Sequence, residues 1–231
     1  MGIKDNIKFV KEKIDTICKK CGRDPKSVTL MAVTKTVDPI YINEAIEAGI
    51  SVIGENRVQE ARKKFDKVKS GVAWHMIGPL QINKVKYAVH LFDMIQSVES
   101  IKLADEIEKR AKTIPKIMDV LVEVKISFEE TKHGVSPEDL IPFLKNLSSY
   151  RYLKVRGLMT MAPFFDDPEK ARPYFRETKV LFDKIRQLHL PNIDMKILSM
   201  GMSGDFEVAI EEGSTLVRLG RAIFRDVYKT K

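Results

Sequence analysis

The chain alternates two hydrophobic rhythms. Residues 3–21 place Ile3, Ile7, Val10, Ile14 and Ile17 at helical spacing, and a turn signal follows at Gly22–Pro25. Val28–Val33 is then a compact apolar run, the pattern of a strand buried on both faces. Asp38 and Pro39 supply an N-cap and a first-turn proline for a helix that ends at Gly49. The same pair of patterns recurs along the chain. Strands are predicted at Ser51–Ile53, Ala73–Ile77, Met94–Ser97, Met118–Val124, Val155–Met159, Met195–Leu198 and Leu216–Leu219. Helices are predicted at roughly 56–69, 81–89, 99–112, 137–147, 168–188 and 204–212, with a short piece after the last strand.

Buried strands that alternate with helices imply parallel pairing through right-handed crossovers. Eight such units predict a single α/β domain over residues 1–231: a (β/α)8 barrel with an extra N-terminal helix and no added β-domain. An open doubly wound sheet is the competing architecture. Its first strand–helix turn normally carries a glycine-rich fingerprint, and here that turn reads T-K-T-V-D-P.

Composition narrows the picture only in part. The 231 residues are 44% hydrophobic and 31% charged, enough for one large core. No apolar run approaches the roughly 18 residues of a membrane span. The N-terminus lacks a signal-peptide core, and Asn6 stands where myristoylation requires Ser or Thr. A cytoplasmic location and no membrane partner are therefore expected. Cys18 and Cys21 read as two reduced thiols one helical turn apart. The four histidines show no metal-ligand spacing, so no metal is expected. The net charge of +8 raises a nucleic-acid reading, but basic and acidic residues interleave, as in E-I-E-K-R-A-K, and no RNA-binding motif appears. No specific nucleic-acid partner is expected.

In a barrel of this kind, functional side chains sit at the C-terminal ends of the strands. Lys35 follows the first predicted strand, Asn56 the second, and His75 lies in the third. A lysine emerging into a barrel mouth is expected to lose hydration and become a nucleophilic amine; the plain alternative is a lysine snorkelling into water. Ser199, Met200, Gly201, Met202, Ser203 and Gly204 follow the seventh strand, and Gly220 and Arg221 follow the eighth. Two glycine-bearing turns before helices can cradle a phosphate, or serve only as tight turns needing a left-handed residue. Arg218 lies among apolar neighbours and must find an acceptor; an internal ion pair with Glu55 is one candidate.

At these residues the sequence resembles the YggS/PROSC-type pyridoxal phosphate homeostasis proteins. The matching stretches are L-M-A-V-T-K-T, G-E-N-R-V-Q-E, W-H-M-I-G-P-L-Q-I-N-K, R-G-L-M-T-M, L-S-M-G-M-S-G-D-F and A-I-E-E-G-S-T-L-V-R-L-G-R-A-I-F, in one order from residue 30 to 224. The resemblance implies the barrel shared with alanine racemase and the cofactor pyridoxal 5′-phosphate (PLP). It makes Lys35 the Schiff-base lysine, and Ser199, Gly201, Gly220 and Arg221 the phosphate cradle. Arg218 becomes the partner of the pyridine nitrogen. Asn56 and His75 line the cofactor face, and Met200 and Ser203 are lesser contacts. It also implies a carrier or buffer of PLP without robust catalysis, whose further partners are amino acids or apo-enzymes that use PLP. A monomer is the simpler expectation. An amino-acid racemase is the enzymatic alternative, and a regulatory or nucleic-acid module a third. Two departures stand out: Arg225 where the family usually has glycine, and His133 directly before Gly134 in the loop after the fifth strand.

Overall fold

In the computed structural model, which describes residues 2–126 and 134–229, every predicted apolar run becomes one strand of a closed parallel barrel. The strands are β1 (Thr29–Val33), β2 (Val52–Glu55), β3 (Ala73–Met76), β4 (Met94–Val98), β5 (Met118–Glu123), β6 (Leu153–Met159), β7 (Ile193–Ser199) and β8 (Leu216–Leu219). They follow one another around the barrel in chain order, and β8 closes on β1 through Thr29–Leu216 to Ala32–Leu219. The seam between β7 and β8 is the shortest, with one register pair, Ser199–Leu216.

Helices fill the crossovers: α1 (Ile3–Lys20) precedes the barrel, and α2 (Pro39–Glu47), α3 (Val58–Lys64), α4 (Val85–Leu91), α5 (Ile101–Ala111), α6 (Leu140–Leu147), α7 (Arg172–Gln187) and α8 (Phe206–Glu211) connect the strands. The last helix, α9 (Arg221–Lys229), contains a kink at Phe224. The start of α2 follows its sequence signal, because Asp38 accepts from the Ile40 amide at 3.0 Å and Pro39 occupies the first turn. The α1 stripe of Ile3, Ile7, Val10, Ile14 and Ile17 is buried against α8 and α9. Each such side chain contributes about 1.5–3 kcal/mol when fully buried. Asn6, expected only as a marker against myristoylation, is itself buried and donates to the Ile223 carbonyl at 3.0 Å.

Two backbone features shape the end of the barrel that matters for function. Gly157 in β6 has φ +150°, and a Cβ there would lie 1.8 Å from the Ile197 carbonyl oxygen, so β6 and β7 meet closely where their register shifts. Thr36 has φ +61°, a left-handed conformation that is costly for a β-branched residue. Cys18 is buried and Cys21 exposed, both as free thiols; burial pushes the Cys18 thiol upward. Among the described residues, no helix is long and apolar enough to cross a membrane, and no three His, Cys, Asp or Glu side chains group as metal ligands.

Candidate functional site

The C-terminal ends of β6, β7, β8 and β1 surround a cleft of about 590 Å³. From β1 come Val33, Lys35 and Thr36. The turn after β7 contributes Met202, Ser203, Gly204 and Asp205. From β8 and α9 come Arg218, Gly220, Arg221 and Arg225. The segment between β6 and α7 adds an apolar wall of Phe164, Phe165, Pro168 and Ala171. Four basic side chains thus face the cleft against one acid, Asp205. Burial raises the Asp205 carboxyl above its ordinary range, against the Met202 amide and Arg218.

Five of the ten residues expected to hold the cofactor meet at this cleft: Lys35, Ser203, Arg218, Gly220 and Arg221. Two expectations about them need correction. Lys35 is exposed at the cleft rather than enclosed, so the anticipated dehydration does not occur. Arg218 does not pair with Glu55. It is buried, and donates from Nη1 to Ser199 Oγ at 2.7 Å and from Nη2 to the Thr160 carbonyl at 2.8 Å. Burial pushes the guanidinium down to about 10, against the pull of Glu123 and Asp205, and it stays cationic at neutral pH.

The two turns differ in why they hold glycine. Gly201, at φ +95°, is needed for packing, since a Cβ would sit 2.6 Å from that of Ala209 in α8. Gly204 would meet nothing within 4 Å, and Gly220 only ordinary contact with Val33 at 3.5 Å. Neither has a left-handed backbone, so the tight-turn explanation fails for both. Their missing side chains leave room over the turn amides for a ligand. The Ser203 hydroxyl accepts from the Ala222 amide at 3.1 Å and ties the turns together.

Ser199, Met200 and Gly201 are buried beneath this surface. His75 is also buried, and Asn56 is half-buried with its backbone packed under Gly78. None of these five lines the cleft. Ser199 instead reaches it through Arg218, and His75 through Ser199 and a residue the sequence reading missed, Gln96 of β4. Arg218 donates to Ser199 Oγ; that hydroxyl donates to Gln96 Oε1 at 2.7 Å; and Gln96 Nε2 donates to His75 Nδ1 at 2.9 Å. Donor capacity gives the row one direction, because a guanidinium can only donate. His75 must then accept at Nδ1 and carry its proton on Nε2. Burial holds it neutral, pushing its pKa down to about 4 despite Asp93.

A second buried polar group lies under the Lys35 turn. Lys64 Nζ donates to the Thr34 carbonyl at 2.8 Å, to Glu55 Oε1 at 2.9 Å and to Glu60 Oε1 at 2.6 Å. Glu55 Oε1 also accepts from the Thr34 hydroxyl at 2.7 Å, and Glu60 Oε1 from the Thr36 amide. Burial raises the Glu55 carboxyl, which Thr34 and Lys64 only partly offset. Burial also opposes charge on Glu60, but its bonds to Lys64 and Thr36 prevail and hold it below the usual carboxylate range. Arg225 is exposed at the cleft edge, whereas His133 lies outside the described residues.

Comparison with known proteins places this geometry. The model of the alanine racemase N-terminal domain matches residues 6–227. The chain is 44% identical over 225 residues to the pyridoxal phosphate homeostasis protein of Aquifex aeolicus, covering 97% of this chain and 98% of that one. It is 37% identical to the Haemophilus influenzae protein of the same name, covering 97% and 95%. Among solved structures, PipY of Synechococcus elongatus with PLP bound superposes with a TM-score of 0.81 at 33% identity, over 92% of this chain and 99% of that one. Alanine racemase of Clostridium difficile, at 16% identity and a TM-score of 0.76, shares the fold, and this chain spans 56% of its length. Matched over nearly its whole length, the chain belongs to the family of the pyridoxal phosphate homeostasis proteins, built on the alanine racemase N-terminal domain.

Proposed function

We propose that this protein binds PLP in the cleft, holds it through a Schiff base to Lys35, and serves vitamin B6 homeostasis as a carrier or buffer. The observation that carries the reading is the cleft wall: four cations and one acid beside two turns whose glycines 204 and 220 answer no packing demand. That wall fits a doubly charged phosphate. PLP supplies an aldehyde, which condenses reversibly with a primary amine and releases water. Lys35 offers the amine. We assign the phosphate to the Ser203 hydroxyl and the turn amides at Gly204, Gly220 and Arg221, with Ser199, Met200 and Gly201 supporting the turn from below. Arg218 is assigned to the ring nitrogen, with His75 behind it through Ser199 and Gln96, while Asn56, which does not line the cleft, is assigned no contact with the ring.

Arg218 also argues for holding over turnover. Cationic and fixed by Ser199 and Thr160, it can only donate, so a ring nitrogen facing it stays unprotonated. An unprotonated ring withdraws electrons poorly from a substrate carbon. Racemisation would further need a base on each face of that carbon. Lys35 supplies one, and among the described residues no tyrosine lines the cleft. We read the protein as a cytoplasmic monomer that exchanges PLP with amino acids and apo-enzymes.

The test is borohydride reduction of the PLP-loaded protein followed by peptide mapping. A pyridoxyl group on the Lys35 peptide is expected, with no inversion in a chiral assay of amino acids. Labelling confined to other lysines would refute the assignment, and rapid racemisation would overturn the carrier reading.

A further inference from the structure

The turn that carries Lys35 is held from below on both sides of that residue. Thr34 is fixed through its carbonyl and its hydroxyl, and Thr36 through its amide. All three bonds end on a single assembly of Lys64, Glu55 and Glu60, two of them buried. Thr36 needs such a hold, because a β-branched residue at φ +61° would otherwise return to an extended conformation. That change would swing the neighbouring Lys35 away from the cleft. Lys64 comes from α3, 30 residues after Thr34 and one strand further on, so the tie is tertiary and does not belong to the turn itself.

We propose that Lys64 and Glu60 are positioning residues. Their ion pair clamps the strained Thr34–Thr36 turn so that the Lys35 amine is presented to the cleft. The pair touches neither the phosphate turns nor Arg218, so it governs the covalent step and leaves cofactor recognition alone. This inference rests on the reading of Lys35 as the linkage lysine.

Two probes separate these roles in the full-length protein. PLP reports the covalent step through growth of its visible band and borohydride trapping at Lys35. Pyridoxine 5′-phosphate has the same ring and phosphate but an alcohol in place of the aldehyde, and it reports recognition alone. Lys64→Met and Glu60→Ala are expected to slow linkage to Lys35 by about tenfold or more, as small misplacements of reacting groups do. Affinity for pyridoxine 5′-phosphate should stay within about twofold, since its contacts are untouched. Glu60→Gln, which keeps an acceptor for the Thr36 amide, should recover most of the rate. If Lys64→Met does not fold, Glu60→Ala and its Gln rescue carry the test, because Glu60 lies nearer the surface. Linkage at the wild-type rate in Glu60→Ala overturns the clamp. So does an equal loss of pyridoxine 5′-phosphate affinity, which would mark general damage. A wild-type protein that binds pyridoxine 5′-phosphate but is never trapped at Lys35 defeats the linkage reading itself, and the clamp's role falls with it.

Discussion

The buried row from Arg218 to His75 makes the stability of this barrel depend on pH in a calculable way. His75 is 7% exposed and accepts a hydrogen bond at Nδ1, so the native imidazole is neutral and its pKa falls from 6.5 to about 4. In the unfolded chain the imidazole titrates at its ordinary value, about 6.5. The sign follows from proton counts. Between these two values the unfolded state binds more protons, so stability is fully present above the unfolded pKa and is lost as pH falls toward the native one. Moving from about pH 7.5 to about pH 5 should therefore cost about 2 kcal/mol from this residue, approaching about 3 kcal/mol below the native pKa. For a domain of this size, the loss corresponds to a fall in Tm of about 4–8 °C. The assay is urea denaturation of wild type and His75→Gln at both pH values. Glutamine retains an acceptor for Gln96 and does not titrate, so the variant removes the His75 contribution while other groups titrate equally. The wild type should lose about 2 kcal/mol more than the variant between the two conditions. Equal losses would falsify the buried neutral histidine and the direction assigned to the row.

Two further outcomes follow from the same geometry. Gln96→Glu places a carboxylate against His75 and should raise the histidine pKa by at least about one unit, read from its ring resonances in an NMR titration; an unchanged value would show that the two side chains do not touch. Gly157→Ala pushes a methyl group to within 1.8 Å of the Ile197 carbonyl at a left-handed site, so a loss of about 3 kcal/mol or more, or failure to fold, is expected; a Tm within about 2 °C of wild type would show that the β6–β7 contact is looser than described.

Most of the barrel was legible because parallel strands buried on both faces appear as unbroken apolar runs, and these need no tertiary knowledge to see. The strand edges were harder. β7 begins at Ile193, two residues earlier than expected, because Asp194 and Lys196 interrupt the run while pairing on the outer surface. β2 continues through Glu55, a charge that reads as a strand end but is buried against Lys64. The site was legible where chemistry sits at strand ends, as with Lys35, Ser203, Arg218 and Gly220. Gln96 was not, since a glutamine inside an apolar strand looks like a simple polar break. Its partners, His75 and Ser199, lie 21 and 103 residues away, and only barrel closure brings them together. Family resemblance named five residues that line the cleft and five that do not, and it did not name the Lys64 assembly, whose members take their meaning from the left-handed Thr36.

The thin seam between β7 and β8 gives the site a mechanical meaning. One register pair joins these strands, backed by amide bonds from Thr215 to the Leu198 carbonyl, from Met200 to that of Leu216 and from Arg218 to that of Gly201, and the two glycine turns that frame the cleft spring from the tops of the same strands. A ligand that bridged both turns would add a brace across this seam, beside the Arg218–Gly201 bond. Occupancy of the cleft would then be felt as added stability along this one edge of the barrel.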